Sequence, residues 1–214
     1  MGTINQDYIE EYIRSLIIEE DHYLNKLEKH AHSYNIPIIH TEVKRLLSVI
    51  IKSNNIKSIL EVGTAIGYSS IAFYHAMNYT GKILSIENNE EMYKQALKNI
   101  ENAGLIGNIE ILFGDANVKI KELEGTYDCI FLDGAKGHYI HLLEDCLRLL
   151  KSGGLLISDN VLFRGMIASD DLVIRRKITI VKRMRKYLDV ISNHSDLITS
   201  IIPIGDGLAL SYKR

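Results

Sequence analysis

Four polar residues could form a metal site with a base beside it. Asp133 and Lys136 follow one apolar run of the sequence, and Asp159 and Asn160 follow the next such run. If the two runs are neighbouring parallel strands, their carboxyl ends meet at one edge of a sheet and bring the four side chains together. Two carboxylates and an amide oxygen are hard ligands that suit Mg²⁺ and leave positions open. This spacing predicts a magnesium site, with two unrelated strand-end caps as the alternative.

Lys136 is the candidate base of this site. It comes three residues after Asp133, so its amine is expected to point toward the same metal site. A nearby cation lowers the pKa of an ammonium group, and a lysine with a lowered pKa can accept a proton. An ordinary surface lysine is the alternative.

A glycine turn comes earlier in the chain. The apolar run 56–62 stops at Gly63, Gly67 follows four residues later, and a helical pattern then begins. Such a strand–turn–helix lets backbone N–H groups approach an anionic group closely. The spacing G-x-x-x-G differs from the G-x-G-x-x-G of dinucleotide-binding folds, so an NAD-dependent oxidoreductase is disfavoured.

Two further carboxylates end the next two strands. Glu87 comes 20 residues after Gly67, and a carboxylate at that position can accept hydrogen bonds from both hydroxyls of a ribose. An exposed strand-end glutamate is the alternative. Asp115 follows the next strand and is also a good helix N-cap, so a capping role and a binding role both stay open.

The chain as a whole predicts an α/β fold, because strand and helix patterns alternate and several strands are near-continuous apolar runs. The predicted strands are residues 56–62, 82–87, 108–113, 126–132, 154–158, 198–204 and 207–212. The predicted helices of this part are residues 68–79, 89–103, 115–123, 137–150 and 170–189. A short Gly-Asp-Gly link joins the last two strands. We therefore expect a doubly wound, seven-stranded, mostly parallel sheet with an antiparallel C-terminal hairpin.

Two accessory helices, 5–18 and 20–34, are predicted before the first strand. The length of 214 residues suits one domain, in which residues 1–40 are the helical accessory segment and 41–214 the core. The apolar faces of the accessory helices favour a lid or a homodimer contact.

The composition also predicts the compartment. The N-terminus is acidic and amphipathic, unlike a signal peptide, and no run of 18 apolar residues could span a membrane. Cys129 and Cys146 lack metal-ligand spacing and are predicted to be buried, reduced thiols. A cytoplasmic location follows from this.

Positive charge is concentrated near the C-terminus. The net charge is −2, yet residues 164–187 hold eight Lys/Arg and two Asp, a local +6 that leaves −8 for the remainder. A single helix in this segment would place basic residues beside one another, namely Arg175, Arg176, Lys182, Arg183 and Lys186. Its other side is expected to pack on the sheet through Ile174, Ile178, Val181 and Leu188. Because no acid interrupts 172–188, contact with a phosphate backbone is predicted, with a solvated face as the alternative.

Five short motifs follow one another within residues 36–160: E-V-G-T-A-I-G-Y-S at 61–69, I-E at 86–87, G-D-A at 114–116, F-L-D-x-x-K at 131–136 and D-N at 159–160. Together they resemble the class I S-adenosylmethionine-dependent O-methyltransferases, in the metal-dependent catechol and caffeoyl-CoA branch. The terminal hairpin, with D-G-L at 206–208, also fits that family.

The resemblance implies a role for each matching residue. S-adenosylmethionine would be held by Ile38, Ile39, Gly63, Gly67, Ser69, Glu87, Asp115, Ala116 and Asp133. In this set Glu87 would bind the ribose, and Asp115 and Ala116 would flank the adenine. Mg²⁺ would be held by Asp133, Asp159 and Asn160, and Lys136 would be the base. The metal would chelate two neighbouring oxygens of the substrate, and one of them would attack the sulfonium methyl in line.

Two departures from the family bear on the acceptor. In the catechol enzymes a tryptophan precedes the base lysine, whereas Ala135 stands here and the chain has no Trp. Those enzymes also carry a carboxylate shortly before D-G-L, where this chain has Ile-Pro-Ile at 202–204. The mouth of the acceptor pocket is therefore expected to be wider.

The segment after Asn160, V-L-F-R-G-M at 161–166 followed by the basic helix, resembles the bacterial tRNA 5-hydroxyuridine methyltransferases. This resemblance implies methylation of 5-hydroxyuridine at the wobble position of tRNA, with the anticodon region as partner. Contact with tRNA would come from Arg164, Arg175, Arg176, Lys182, Arg183 and Lys186. A small catechol or phenol is the alternative acceptor. A non-enzymatic nucleic-acid-binding protein is the third hypothesis, and it would require a degenerate site.

Overall fold

A seven-stranded sheet lies at the centre of the part of the chain that the structure describes. This computed structural model describes residues 4–18, 21–134 and 136–214. The strands are β1 (Ser58–Val62), β2 (Lys82–Glu87), β3 (Ile109–Phe113), β4 (Tyr127–Leu132), β5 (Leu150–Ser158), β6 (Leu197–Ile202) and β7 (Leu208–Lys213). Their order in the sheet is β3-β2-β1-β4-β5-β7-β6.

The pairing of the strands confirms the predicted fold class. β1 pairs in parallel with β2 and β4, and β4 pairs in parallel with β5. β7 pairs antiparallel with both β5 and β6, which gives the expected C-terminal hairpin. In the register, Val62 lies beside Leu132 and Leu132 beside Ser158. The residues that follow β1, β4 and β5 therefore share one edge of the sheet.

Helices cover both faces of the sheet. They are α1 (Asp7–Ser15), α2 (His22–Ser33), α3 (Thr41–Ser53), α4 (Tyr68–Ala76), α5 (Glu90–Asn102), α6 (Ala116–Glu122), α7 (Tyr139–Leu149) and α8 (Ile178–Asn193). One apolar core cluster contains buried residues of α2, α3, α4 and α5, for example Leu27 and Val43. The other contains residues of α6, α7 and α8, for example Leu142 and Met184. The second accessory helix is thus part of the core on one face.

The helix predicted over 170–189 is wrong in its bounds. Two single-turn helices, Asp170–Leu172 and Arg175–Lys177, precede α8, and the residues between them adopt extended backbone. Val173 and Ile174 are β-branched, which disfavours a helix at this point. Arg175 therefore does not lie on one helix with Lys182 and Lys186.

The buried face of α8 agrees with the prediction at Val181 and Leu188 but differs from it at Ile178. Ile178 was expected to pack on the sheet, but it is 40% exposed. The fully buried side of the helix is formed by Val181, Met184, Tyr187 and Ile191. Among the strands, the one predicted at 154–158 begins earlier, at Leu150. The other element ends shift by a few residues, as helix and strand ends commonly do.

The described residues include no helix that is long and apolar enough to cross a membrane. Cys129 and Cys146 are buried free thiols, as predicted. Burial raises the pKa of both thiols to about 12. Both are therefore protonated at neutral pH and unreactive as nucleophiles.

Candidate active site

A first cavity, of about 680 Å³, opens at the carboxyl ends of β1 to β4. Eight of the nine residues predicted to hold the methyl donor line it, namely Ile38, Ile39, Gly63, Ser69, Glu87, Asp115, Ala116 and Asp133. Gly67 is the exception, since it is not among the lining residues. It is the N-cap of α4 and has φ +81°, so it determines the backbone path of the turn without lining the cavity.

Gly63 brings two turns into contact. Its φ is +90°, and a Cβ at this position would lie 2.8 Å from Cα of Gly134. Only a glycine combines that conformation with such a close approach of two backbones. The turn after β1 and the turn after β4 therefore meet directly at the floor of the first cavity.

A buried carboxylate, Glu61, organises the same turn. It accepts hydrogen bonds from the hydroxyls of Ser69 at 2.5 Å, Ser85 at 2.6 Å and Thr64 at 2.8 Å, and also from Ser70. Burial raises the pKa of Glu61 against the effect of these four donors. Because Ser69 donates its hydrogen to Glu61, its hydroxyl oxygen offers lone pairs to the first cavity.

Glu87 lines the first cavity where the ribose was predicted to bind, and it also holds the backbone. Its carboxylate accepts N–H bonds from Ala65 at 2.9 Å, Asn88 at 3.0 Å and Asn89 at 2.8 Å. A carboxylate has about four acceptor sites, so capacity for a further donor is left. Glu87 thus ties the turn after β1 to the turn after β2.

Asp115 takes the capping role that the sequence left open. Its side chain accepts bonds from the backbone N–H and the side-chain amide of Asn117, at 2.8 and 2.9 Å. These bonds lower the pKa of Asp115. The residue also lines the first cavity, so the arrangement is compatible with both roles.

The three predicted metal ligands lie together. The side-chain amide of Asn160 donates to Asp133 Oδ1 at 3.2 Å, and the backbone N–H of Asn160 donates to Asp159 Oδ1 at 2.7 Å. The second oxygen of Asp159, Oδ2, is buried and has no hydrogen-bond partner among the described residues. Burial raises the pKa of Asp159 to about 6, and burial and the neighbouring Asp159 raise the pKa of Asp133. A buried carboxylate with an unpartnered oxygen, beside a second, half-buried carboxylate, suits a hard divalent cation.

Lys136 reaches the same cluster. Its ammonium group donates to Asn160 Oδ1 and lies 3.9 Å from Asp206 Oδ2. Burial lowers the pKa of Lys136, although Asp206 and Asp133 oppose the change. The lowered pKa expected from the sequence therefore arises here from burial.

A second cavity, of about 590 Å³, adjoins the first. Lys136, Asn160 and His40 line both cavities. Glu10, Phe163, Arg164, Arg176, Lys177 and Asp206 are among the other residues that line the second. The ring centre of Phe163 lies 5.8 Å from Lys136 Nζ and 5.7 Å from Lys177 Nζ, so an aromatic face stands beside the candidate base. Ala135, where the catechol enzymes carry tryptophan, lies outside the described residues.

Several of these residues were missed from the sequence. Glu61, His40 and Phe163 were not assigned a role, and Asp206 was noted only as part of the Gly-Asp-Gly link and of D-G-L. A signal existed for Glu61, since it is a charged residue inside an apolar strand followed by Thr64, Ser69 and Ser70. His40 and Phe163 carry no such local signal.

The predicted nucleic-acid contacts divide into two groups. Arg164 and Arg176 line the second cavity, together with Lys177, which was not predicted. The others are exposed and lie outside its lining: Arg175, Lys182, Arg183 and Lys186.

The comparisons with known proteins identify the fold and the chemistry. A family model described as O-methyltransferase matches residues 14–214. The chain belongs to this O-methyltransferase family. Caffeoyl-CoA O-methyltransferase 2 of Petunia hybrida is 33% identical over 196 residues, which cover 85% of this chain and 78% of the plant enzyme. Caffeoyl-CoA O-methyltransferase 5 of Nicotiana tabacum is 32% identical, with coverage of 85% and 79%.

Solved structures agree with this assignment. A candidate caffeoyl-CoA O-methyltransferase from Staphylococcus aureus has a TM-score of 0.90 and 31% identity, covering 97% of this chain and 100% of that one. An O-methyltransferase from Bacillus cereus, solved with S-adenosylhomocysteine (SAH), has a TM-score of 0.85 at 22% identity, covers 97% of each chain and shows the shared fold. The O-methyltransferase described here is therefore of the caffeoyl-CoA type and uses S-adenosylmethionine (SAM) as methyl donor.

The contact of Gly63 with Gly134 gives a first prediction for this O-methyltransferase. Gly63→Ala should weaken SAH binding by at least about 10-fold and lower the free energy of unfolding by about 2 kcal/mol, because the added Cβ collides with backbone. Calorimetry with SAH and urea unfolding measure the two effects.

Gly107→Ala is the matched control for this change. Gly107 also has positive φ, +82°, but a Cβ there would meet no atom within 4 Å. It imposes the same kind of backbone strain without the collision. Equal SAH affinity and equal stability of the two variants would show that the close approach at Gly63 is unimportant.

Proposed function

We propose that this protein transfers the methyl group of SAM to one of two neighbouring oxygens on a planar ring, at a site where Asp133, Asp159 and Asn160 would hold a divalent cation. The observation that carries this proposal is the buried, unpartnered Oδ2 of Asp159 beside Asp133 and Asn160. The set of donors fits Mg²⁺, which prefers carboxylate and amide oxygens. A bound Mg²⁺ would supply Lewis acidity that lowers the pKa of an adjacent hydroxyl.

The residues of the chain then perform the remaining tasks. The turn around Gly63 and the carboxylate of Glu87 hold the methyl donor in the first cavity. Lys136, at the boundary of the two cavities, accepts the proton of the acceptor hydroxyl, which its lowered pKa favours. The oxyanion attacks the methyl carbon in line while the bond between that carbon and the sulfonium sulfur breaks, so that SAH is the leaving group and no covalent intermediate with the protein forms. Positioning of donor and acceptor supplies much of the rate enhancement.

A small catechol or related phenol is the first candidate acceptor. The curated relatives are named for caffeoyl-CoA, whose ring is phenolic. The ring of Phe163 beside Lys136 supports this class, because an aromatic face can pack against an aromatic acceptor.

5-Hydroxyuridine at the wobble position of tRNA is the second candidate. The specific observation in its favour is the excess of positive charge in the lining of the second cavity, where Lys136, Arg164, Arg176 and Lys177 outnumber Glu10 and Asp206. Further cations are exposed within the segment 175–186. Its O4 and O5 are neighbours, like the two oxygens of a catechol, so one cation could hold both. Phosphate groups of the anticodon arm would bind the exposed cations.

One experiment tests both acceptors. The protein is incubated with SAM and Mg²⁺, either with caffeoyl and catechol acceptors or with tRNA that contains 5-hydroxyuridine, and products are measured by mass spectrometry. The triple variant Arg175→Gln, Lys182→Gln, Lys186→Gln removes cations outside the second cavity. Catechol turnover should change less than about 2-fold in this variant, whereas tRNA turnover should fall at least about 10-fold, because three phosphate contacts are lost. Failure to methylate either class of acceptor would refute the proposal.

Three further expectations stay predictions. They are the single domain over residues 1–214, the homodimer and the cytoplasmic location.

A further inference from the structure

We infer that Asp206 is a positioning residue for the acceptor, because it fixes the segment 161–165 in the conformation that places Phe163 and Arg164 against the second cavity. The inference rests on the proposed function only in treating that cavity as the acceptor site. The contacts that support it are independent of any bound molecule.

The backbone conformation of this segment is unfavourable unless contacts with another part of the chain stabilise it. Phe163 has φ +45° and Arg164 φ +56°, and both are non-glycine residues in the left-handed region. Two consecutive residues of this kind are uncommon, since each crowds its Cβ against its own carbonyl. Such conformations persist where surrounding contacts over-determine them, often at binding sites.

The turn between β6 and β7 makes these stabilising contacts. Asp206 Oδ1 accepts the backbone N–H of Arg164 at 2.5 Å, and the main-chain oxygen of Asp206 accepts that of Leu162 at 3.0 Å. The oxygen of Gly207 accepts the N–H of Val161 at 2.9 Å. Gly207 is packed so closely that a Cβ there would lie 2.3 Å from Cγ of Leu162. The turn therefore holds the segment near both of its ends. Of these three hydrogen bonds, only the one from Arg164 is accepted by a side chain.

Two functions of the Asp206 carboxylate can be separated. Oδ1 makes the bond to Arg164, while Oδ2 lies 3.9 Å from Lys136 Nζ. Asp206→Asn keeps an oxygen that can accept the Arg164 N–H but removes the negative charge. Asp206→Ala removes both. A positioning role through Arg164 therefore predicts that Asn preserves the segment and that Ala does not.

Trypsin cleavage after Arg164 reports the order of the segment directly. Cleavage there gives the fragments 1–164 and 165–214, which mass spectrometry distinguishes from cleavage elsewhere. Loss of one charge-assisted hydrogen bond should raise the cleavage rate at Arg164 about 10-fold in Asp206→Ala, because the segment opens more often. Asp206→Asn should stay within about 3-fold of the unchanged protein. Asp189→Ala, which removes an exposed carboxylate of α8, is the control and should leave the rate unchanged.

Binding and kinetics complete the test. Asp206→Ala should leave the Kd for SAH within about 2-fold, which shows that the protein is folded, and should raise KM for the methylated acceptor about 10-fold. Equal cleavage in Asp206→Ala and the unchanged protein would overturn the inference, as would an Asp206→Asn variant that is cleaved as fast as Asp206→Ala. If neither acceptor class is methylated, the proposed function fails, yet the cleavage and SAH measurements still decide the role of Asp206.

Discussion

Lys136→Met is expected to lower kcat by about 10²- to 10⁴-fold, which is the usual contribution of a general base. The affinity for SAH should stay within about 3-fold, because the donor is held mainly by the turns after β1 and β2. The loss of kcat is expected because the amine of Lys136 lies at the boundary of the two cavities, where it donates to Asn160 and lies beside Asp206. Single-turnover methylation and SAH calorimetry measure the two quantities.

Lys136→Arg separates proton acceptance from charge. An arginine keeps the positive charge but does not deprotonate, so this variant should be about as slow as Lys136→Met. Lys94→Met, on an exposed helix face where Lys94 pairs with Glu90, is the control and should keep full activity. A Lys136→Arg variant with nearly normal kcat would show that the charge alone matters and that Lys136 is not the base.

Asp159→Asn is expected to reduce kcat/KM by about 10³-fold, because loss of a ligand to the cation removes several kcal/mol of transition-state stabilisation. The variant should also lose the increase in thermal stability that Mg²⁺ gives to the unchanged protein. Activity and melting temperature are measured with Mg²⁺ and with a chelator. Asp189→Asn, an exposed change on α8, is the control. A variant that is activated and stabilised by Mg²⁺ like the unchanged protein would refute the assignment of Asp159 as a ligand.

The same substitution should alter the pH dependence of stability. Burial raises the pKa of Asp159 from an ordinary value of 3.8 to about 6. The pKa of Asp159 is higher in the folded state than in the unfolded state. The contribution of this group to the free energy of unfolding is therefore fully present below pH 3.8 and is lost as the pH rises through 6. A rise of this size corresponds to about 3 kcal/mol. Without metal, the free energy of unfolding of the unchanged protein should therefore fall more steeply between pH 4 and 6.5 than that of Asp159→Asn. Parallel urea-unfolding curves across this range would contradict the expectation.

The sequence is most informative where local pattern decides the structure. Apolar runs define the strands of the parallel sheet, and the polar residues that follow them must lie at its carboxyl edge. For this reason Asp133, Lys136, Asp159 and Asn160 could be placed together from spacing alone. The short Gly-Asp-Gly link likewise predicts the antiparallel hairpin, because no parallel crossover fits in that length.

Two kinds of feature could not be predicted, namely a local interruption of a helix and contacts between residues that are distant in the sequence. Periodicity over 170–189 suggested one helix, but extended backbone at Val173 and Ile174 breaks the pattern. The fastening of residues 161–165 by Asp206 joins residues about 40 positions apart, and hydropathy does not encode such a hydrogen bond. His40 lines both cavities, and its neighbour Ile39 belongs to the same core cluster as Ile59 of β1, another association between distant parts of the chain that local pattern does not predict.

The boundary between the two cavities has a kinetic consequence. Among the residues that the structure describes, only Lys136, Asn160 and His40 line both spaces, so the two cavities have most of their walls to themselves. If donor and acceptor occupy the two cavities as proposed, each could load and leave without displacing the other, and the passage of the methyl group would be the one step that involves both compartments.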